Sequence, residues 1–200
     1  MKYDLSDLPE DVLKEHLELT ERLKEIENVE ASKDNFLNFV KSQWPSFVSG
    51  AHHKKMADAF DRIAKGKIKR LIINMPPRHT KSEFASHYFP AYLVGRNLRD
   101  LMLTEDFQKV FPDVLINPDS KAAGKWETQD KANPKLKGEY YAAGVGGALA
   151  GRGADLFIID DPHSEQDAMN PKSMDDTYEW YTSGPRQRLQ PGGAIVIVMT

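Results

Sequence analysis

Cysteine is absent from this chain of 200 residues, which removes disulfide staples and thiolate metal ligands and suits a reducing compartment. Long apolar runs are missing too. The longest, residues 194–199, falls far short of the roughly 20 residues a membrane-spanning helix needs. The acidic opening Met1-Lys2-Tyr3-Asp4 lacks the apolar core of a signal segment, so no membrane partner is expected. Nor is there a surplus of positive charge: a net charge of −3 excludes a generally basic nucleic-acid coat. Any contact with a polyanion would be local, through Arg96 and Arg99 or the series Lys121, Lys125, Lys131, Lys135 and Lys137. Because these lysines are interspersed with acids, they read first as a solvated face.

What is present suits one α/β domain with a helical extension, long enough to bury a real core. Its most informative stretch is Pro76-Pro77-Arg78-His79-Thr80-Lys81-Ser82, placed between the apolar run 71–75 and a predicted helix. A strand, a tight loop ending in Lys-Ser and a helix form a cradle for a nucleoside triphosphate. The helix N-terminus presents unpaired N–H groups to the phosphates, and its dipole favours their charge. Lys81 would neutralise β- and γ-phosphate oxygens, and the Ser82 hydroxyl would reach Mg²⁺. The usual pattern is G-x-x-x-x-G-K-[ST]; Met75 and Thr80 stand here in place of its two glycines. Alone, the match is equally an ordinary strand-to-helix turn with a solvated lysine.

A second element tips that balance. The run Leu156-Phe157-Ile158-Ile159, bounded by Gly153 and Pro162, ends in Asp160 and Asp161, as a strand buried on both faces would. Ligands of open α/β sheets lie beyond the carboxyl ends of the strands, where both candidate sites would fall. Asp160 would hold Mg²⁺, and Asp161 would lie nearer the γ-phosphate. The pair makes a P-loop NTPase the leading reading: a mostly parallel central sheet flanked by helices, with an N-terminal helical extension over residues 1–66 and the nucleotide-binding core over 67–200.

Along the chain, residues 9–28 read as an amphipathic helix with Val12, Leu13, Leu17, Leu23 and Ile26 as its apolar stripe. Ser32 is the expected N-cap of a second helix, carrying Phe36, Leu37, Val40 and Trp44 and closed by Pro45. A third runs over 52–65, with Met56, Phe60 and Ile63 inward and Gly66 as its stop. Helix is expected over 82–92 with a bend or break near Phe89, since an interior proline such as Pro90 costs roughly 3 kcal/mol. A further helix is expected over 98–111, a loop or loose hairpin over 117–137, and a strand over 140–145. The glycine-rich stretch 144–153 is a mobile connection or a close backbone approach to a ligand. Helices opening at 165–168 and over 174–188, a turn at Pro191-Gly192-Gly193 and a buried strand over 194–200 complete the reading. Because the sequence ends at that strand's tip, a truncated chain is expected. His52-His53 reads as a surface pair ahead of the alternative of a place by the adenine, His79 and His163 as groups able to approach each other, and Trp44, Trp126 and Trp180 as packing residues.

Taken together, residues 75–83, 144–155 and Ile158-Ile159-Asp160-Asp161-Pro162, extended by 111–113, 120–123 and 191–200, closely resemble the large terminase subunit of tailed bacteriophages. The match covers most of the chain from about residue 45. It implies an ATP-driven, DNA-packaging hydrolase: a homo-oligomeric ring on the portal protein, working with the small terminase subunit in the host cytoplasm to push double-stranded viral DNA into a procapsid. The resemblance assigns Arg78 as a γ-phosphate sensor within the cofactor-binding loop Pro77, Arg78, His79, Thr80, Lys81 and Ser82. It assigns Ser82 and Asp160 to the metal, and Arg152 as an arginine acting on a neighbouring subunit's ATP, worth on the order of 10³ to 10⁵ in rate where such a finger operates. By the same resemblance, Thr200 begins what looks like the motif that couples hydrolysis to movement. A nuclease domain would follow Thr200 in the family, and cleavage is not expected of the residues given.

Two departures stand out. Where many of these motors carry Glu after the metal Asp, this chain has Asp161; the base is Asp161 reaching further or Glu165 turning back, with Asp161 favoured. And Leu98-Arg99-Asp100 joins segments that the family separates by another strand, which predicts a first sheet strand with an exposed edge. That pattern fits a diverged gene or an internally deleted fragment. Two rival functions remain beside the motor: another P-loop enzyme such as a kinase, and a non-catalytic fragment that binds DNA or portal without turnover.

Overall fold

The computed structural model describes residues 9–94, 104–122, 125–135, 137–147, 149, 151–164, 167 and 169–200. Glu165, Arg96, Arg99, the 98–100 junction and the helix start expected at 165–168 lie outside or almost wholly outside them. The fold is mixed α/β, with N-terminal helices, a three-stranded parallel sheet and a separate three-stranded antiparallel sheet.

Helix α1, Glu10–Asp34, runs longer than expected, and its stripe does not face a core. Leu17, Leu23 and Ile26 are each about 60% exposed, and the buried contact comes from Ser32 in the last turn. Ser32 therefore does not cap the second helix; its hydroxyl bonds back to the Asn28 carbonyl at 2.7 Å. The cap of α2, Phe36–Gln43, is Asn35, whose side chain accepts from the Asn38 N–H. Helix α3, Ala51–Ala64, buries Met56, Phe60 and Ile63 as expected and is followed by Gly66 at φ 67°.

After β1, Arg70–Asn74, the chain turns into a helix from Lys81. Pro90 does not break it. Residues Glu83–Tyr88 adopt a π-helical turn, in which the Phe89 N–H bonds to the Phe84 carbonyl five residues back, and α4, Phe89–Val94, continues. Proline removes one N–H and crowds the carbonyl four residues earlier, and a widened turn accommodates both. Thr104 caps α5, Glu105–Val110.

The polar stretch expected as a loop or loose hairpin is a sheet: β2, Val114–Ala122, β3, Lys125–Asp130, and β4, Lys137–Tyr141, pair antiparallel. Along β3, Trp126 and Thr128 alternate inward, and the Trp126 ring packs on Tyr140 at 5.3 Å. Strand β5, Ala154–Asp160, is half-buried rather than buried on both faces, because it pairs on one side only among the described residues. Helix α6, Pro171–Ser183, and a 3₁₀ turn, Pro185–Arg188, lead to β6, Leu189–Met199. The expected turn at 191–193 is a bulge within that strand, where the pairing jumps from Leu189 to Ala194.

Strand order in the parallel sheet is β1-β6-β5, so β6 supplies the buried centre through Ile195, Val196 and Val198. Strand β1 lies at the edge, and its Ile72 is 67% exposed, as the open edge would leave it. One aromatic cluster joins the N-terminal helices to the helix after β1: the Phe36 ring meets Phe60, Phe84, Phe89 and Tyr92 edge-on at 5.1–5.7 Å. Among the described residues no helix is long and apolar enough to cross a membrane.

Candidate functional site

Parallel pairing aligns the carboxyl ends of all three strands. Asn74 faces Met199, Asp160 faces Val198, and the Met75 and Asp161 N–H groups bond to the Met199 and Val198 carbonyls. The side chains leaving those ends are Lys81 after β1, Asp160 and Asp161 from β5, and Thr200 from β6.

They meet in one network. The Lys81 ammonium donates to Thr200 Oγ1 at 2.8 Å and lies 3.2 Å from Asp161 Oδ2. Thr200 Oγ1 donates in turn to Asp161 Oδ1 at 3.0 Å. Lys81 is only 5% exposed, and a buried ammonium needs such partners. Beside it, Ser82 Oγ donates to Asp160 Oδ1 at 2.8 Å and Ser86 Oγ to Asp160 Oδ2 at 2.7 Å. Four residues apart on one helix, the two serines present the same face.

The loop that aims Lys81 carries two non-glycine residues in the left-handed region, Arg78 at φ 63° and Thr80 at φ 58°; Asp161 at φ 41° is a third. Such values are uncommon outside glycine and cluster where function requires them. Arg78 and Pro77 are exposed, and Arg78 has no hydrogen bond or ion pair among the described residues. His79 Nδ1 lies 2.9 Å from the Pro77 carbonyl.

His53 is not the surface residue expected. Only 7% exposed, it packs on Phe47 and Phe84 and reaches Thr80 Oγ1 through Nε2 at 2.6 Å. Burial, and then the charges of His52 and His79, hold its pKa below the usual histidine value. The His79 ring neighbours His52, at 5.7 Å, and both ring nitrogens of His163 are buried without a partner among the described residues.

Thus Lys81, Ser82, Asp160 and Asp161 come together, with Thr80 alongside. Arg152 does not join them: its guanidinium pairs with Glu139 and stacks over the Tyr141 ring, both on β4. Glu165 is outside the described residues. Reading the sequence missed Ser86, whose signal was its four-residue spacing from Ser82, and the contact of His53 with the loop.

Among the described residues no group of three His, Asp or Glu side chains forms a metal site by itself. The Ser82 hydroxyl and Asp160 carboxylate are direct neighbours, an all-oxygen pair of the kind that could hold Mg²⁺, which takes few protein ligands and completes its shell with water and substrate phosphate. No protein-family model matches the chain, and no curated protein matches its sequence.

Proposed function

We propose that this chain is the ATPase core of a DNA-packaging motor resembling the phage terminase large subunit. It would couple Mg²⁺-ATP hydrolysis to movement of double-stranded viral DNA into a procapsid. One observation carries the nucleotide half of this reading: Lys81 and Ser82, at the helix start that follows β1 and its loop, touch Asp161 and Asp160 at the end of β5, across the carboxyl edge of one parallel sheet. The DNA, the portal protein, the small terminase subunit and the subunit ring rest on the sequence resemblance alone.

In this P-loop reading the resting network is a placeholder. Asp160 and Asp161 are two carboxylates that an incoming free triphosphate would meet as local repulsion. Mg²⁺ held by Ser82 and Asp160 would offset it and neutralise charge at the β- and γ-phosphates. Lys81 then exchanges Asp161 for phosphate oxygens. The freed Asp161 accepts a proton from the attacking water as the bond between the γ-phosphorus and its bridging oxygen breaks, giving ADP and phosphate. Thr200, bonded to both Lys81 and Asp161, feels that exchange directly. Arg152, held on β4, is free to act only after leaving Glu139, and its target would be a neighbouring subunit's nucleotide.

Steady-state ATPase assays of the purified protein test this reading. Turnover that needs Mg²⁺ and falls at least about 100-fold in Lys81→Ala is expected, the size of loss seen when one transition-state contact is removed. Binding of ATP without turnover, in an oligomeric protein, would end the motor reading. No binding at all would end every nucleotide-dependent reading and leave only the non-catalytic fragment.

A further inference from the structure

Position 80 is where the phosphate-loop pattern carries its second glycine, and this chain carries threonine. The backbone there keeps a glycine-like conformation, φ 58°. A β-branched residue adopts that region only when its surroundings enforce it. We propose that His53 is the positioning residue that does so, standing in for the missing glycine by clamping Thr80 from the N-terminal helices.

The hydrogen-bond chain has one direction. The Gly50 N–H donates to His53 Nδ1 at 2.8 Å, so Nδ1 is the acceptor and the ring proton sits on Nε2. Nε2 donates to Thr80 Oγ1 at 2.6 Å, and Thr80 Oγ1 donates to the His79 carbonyl at 2.7 Å. The threonine hydroxyl is thereby used in both senses and fixed in orientation. The imidazole is itself immobilised: its ring lies against Phe47 at 4.8 Å and Phe84 at 5.3 Å. Three residues on from Gly50, it closes the first turn of α3. The clamp thus ties the loop to a helix end, and the next residue, Lys81, inherits its direction from Thr80. Glycine at position 80 would need no such tether.

This inference rests on the nucleotide-binding reading for its functional consequence, but its structural half is separately measurable. His53→Phe keeps the aromatic packing and removes both hydrogen bonds. His53→Gln keeps an N–H donor near the Nε2 position. Affinity for Mg²⁺-ATP, by calorimetry, is expected to fall about tenfold in His53→Phe and to recover to within about threefold of the unmodified chain in His53→Gln; tenfold corresponds to one broken net contact of ordinary strength. The decisive comparison adds His53→Phe to Thr80→Gly. Whatever affinity Thr80→Gly sets alone, the second change should then cost less than about twofold. An equal loss in both backgrounds, or no loss in His53→Phe, overturns the proposal.

If the unmodified chain binds no nucleotide, the functional reading fails while the clamp is still judged, by a urea-denaturation cycle on the same four proteins. Non-additivity between positions 53 and 80 supports it, and additivity overturns it. Should His53→Phe not fold, rescue of folding by Thr80→Gly supports the clamp, and absence of rescue with an unaltered His53→Gln protein refutes it.

Discussion

At the scale of single residues, the site is governed by how buried polar groups are satisfied. Lys81 has two partners and Asp160 accepts from two serines. The histidines are the titratable weak points. Burial lowers the pKa of both His53 and His87; His52 and His79 push His53 further down, while Glu83 opposes the shift at His87. A histidine whose folded pKa lies below its unfolded value near 6.5 binds fewer protons when folded. Its stabilising contribution is complete above about pH 6.5 and is lost as pH falls through the lower folded values. Urea midpoints measured from pH 7.5 to 5 should therefore fall on acidification, and His87→Phe should flatten the slope. An unchanged slope would contradict the assignment. Lys81, Ser82, Asp160 and Asp161 were legible because strand-end motifs place their chemistry by spacing. Ser86 and His53 were not, since a serine inside a helix and a doubled histidine each resemble surface residues until the fold brings a partner.

Among the elements, α2 shows what a single buried carboxylate does. Asp61 of α3 accepts from the Phe36 N–H and from the Tyr92 hydroxyl, each at 3.0 Å. It thus closes the N-terminus of α2 alongside Asn35 and pins α4 to α3. Burial, then the Asp61 charge, drives the Tyr92 pKa upward. Asp61→Ala would leave a buried N–H and a buried hydroxyl unpaired, at a cost of about 2–4 kcal/mol, whereas Tyr92→Phe removes one bond for about 1 kcal/mol. Chemical denaturation of the two variants checks the order; a reversal would mean that the carboxylate is not the hub. The sequence misplaced this cap by choosing Ser32, because α1 continues through residues 28–34 and breaks only at Asn35. It also hid β2 to β4, where Lys125, Glu127 and Gln129 at the alternate positions of β3 mask the inward alternation of Trp126 and Thr128.

For the whole molecule, the N-terminal helices and the parallel sheet share one hydrophobic cluster, running from Phe36 and Phe60 through Phe84 to Val196 and Val198. Disturbing it is costly at any point. Phe36→Ala should lose about 3–5 kcal/mol as a buried aromatic. Leu23→Lys on the open stripe of α1 should change stability by no more than about 0.5 kcal/mol. Thermal or urea denaturation separates these outcomes, and a large loss in Leu23→Lys would show that α1 packs where the fold leaves it bare. Amphipathic spacing could not distinguish the two helices: α1 carries a regular apolar stripe yet faces solvent, while α2, only eight residues long, anchors the core.

The middle strand of the parallel sheet is the last of the three to be made. As the chain leaves the ribosome, β1 and later β5 emerge with no mate, because neither pairs with the other and β6 must slot between them. Strand β1 therefore stays without a partner from its own synthesis until β6 is made, and β5 waits beside it over the last stretch before β6. The ammonium, the carboxylates and the Thr200 hydroxyl stay scattered until that closing insertion brings them together.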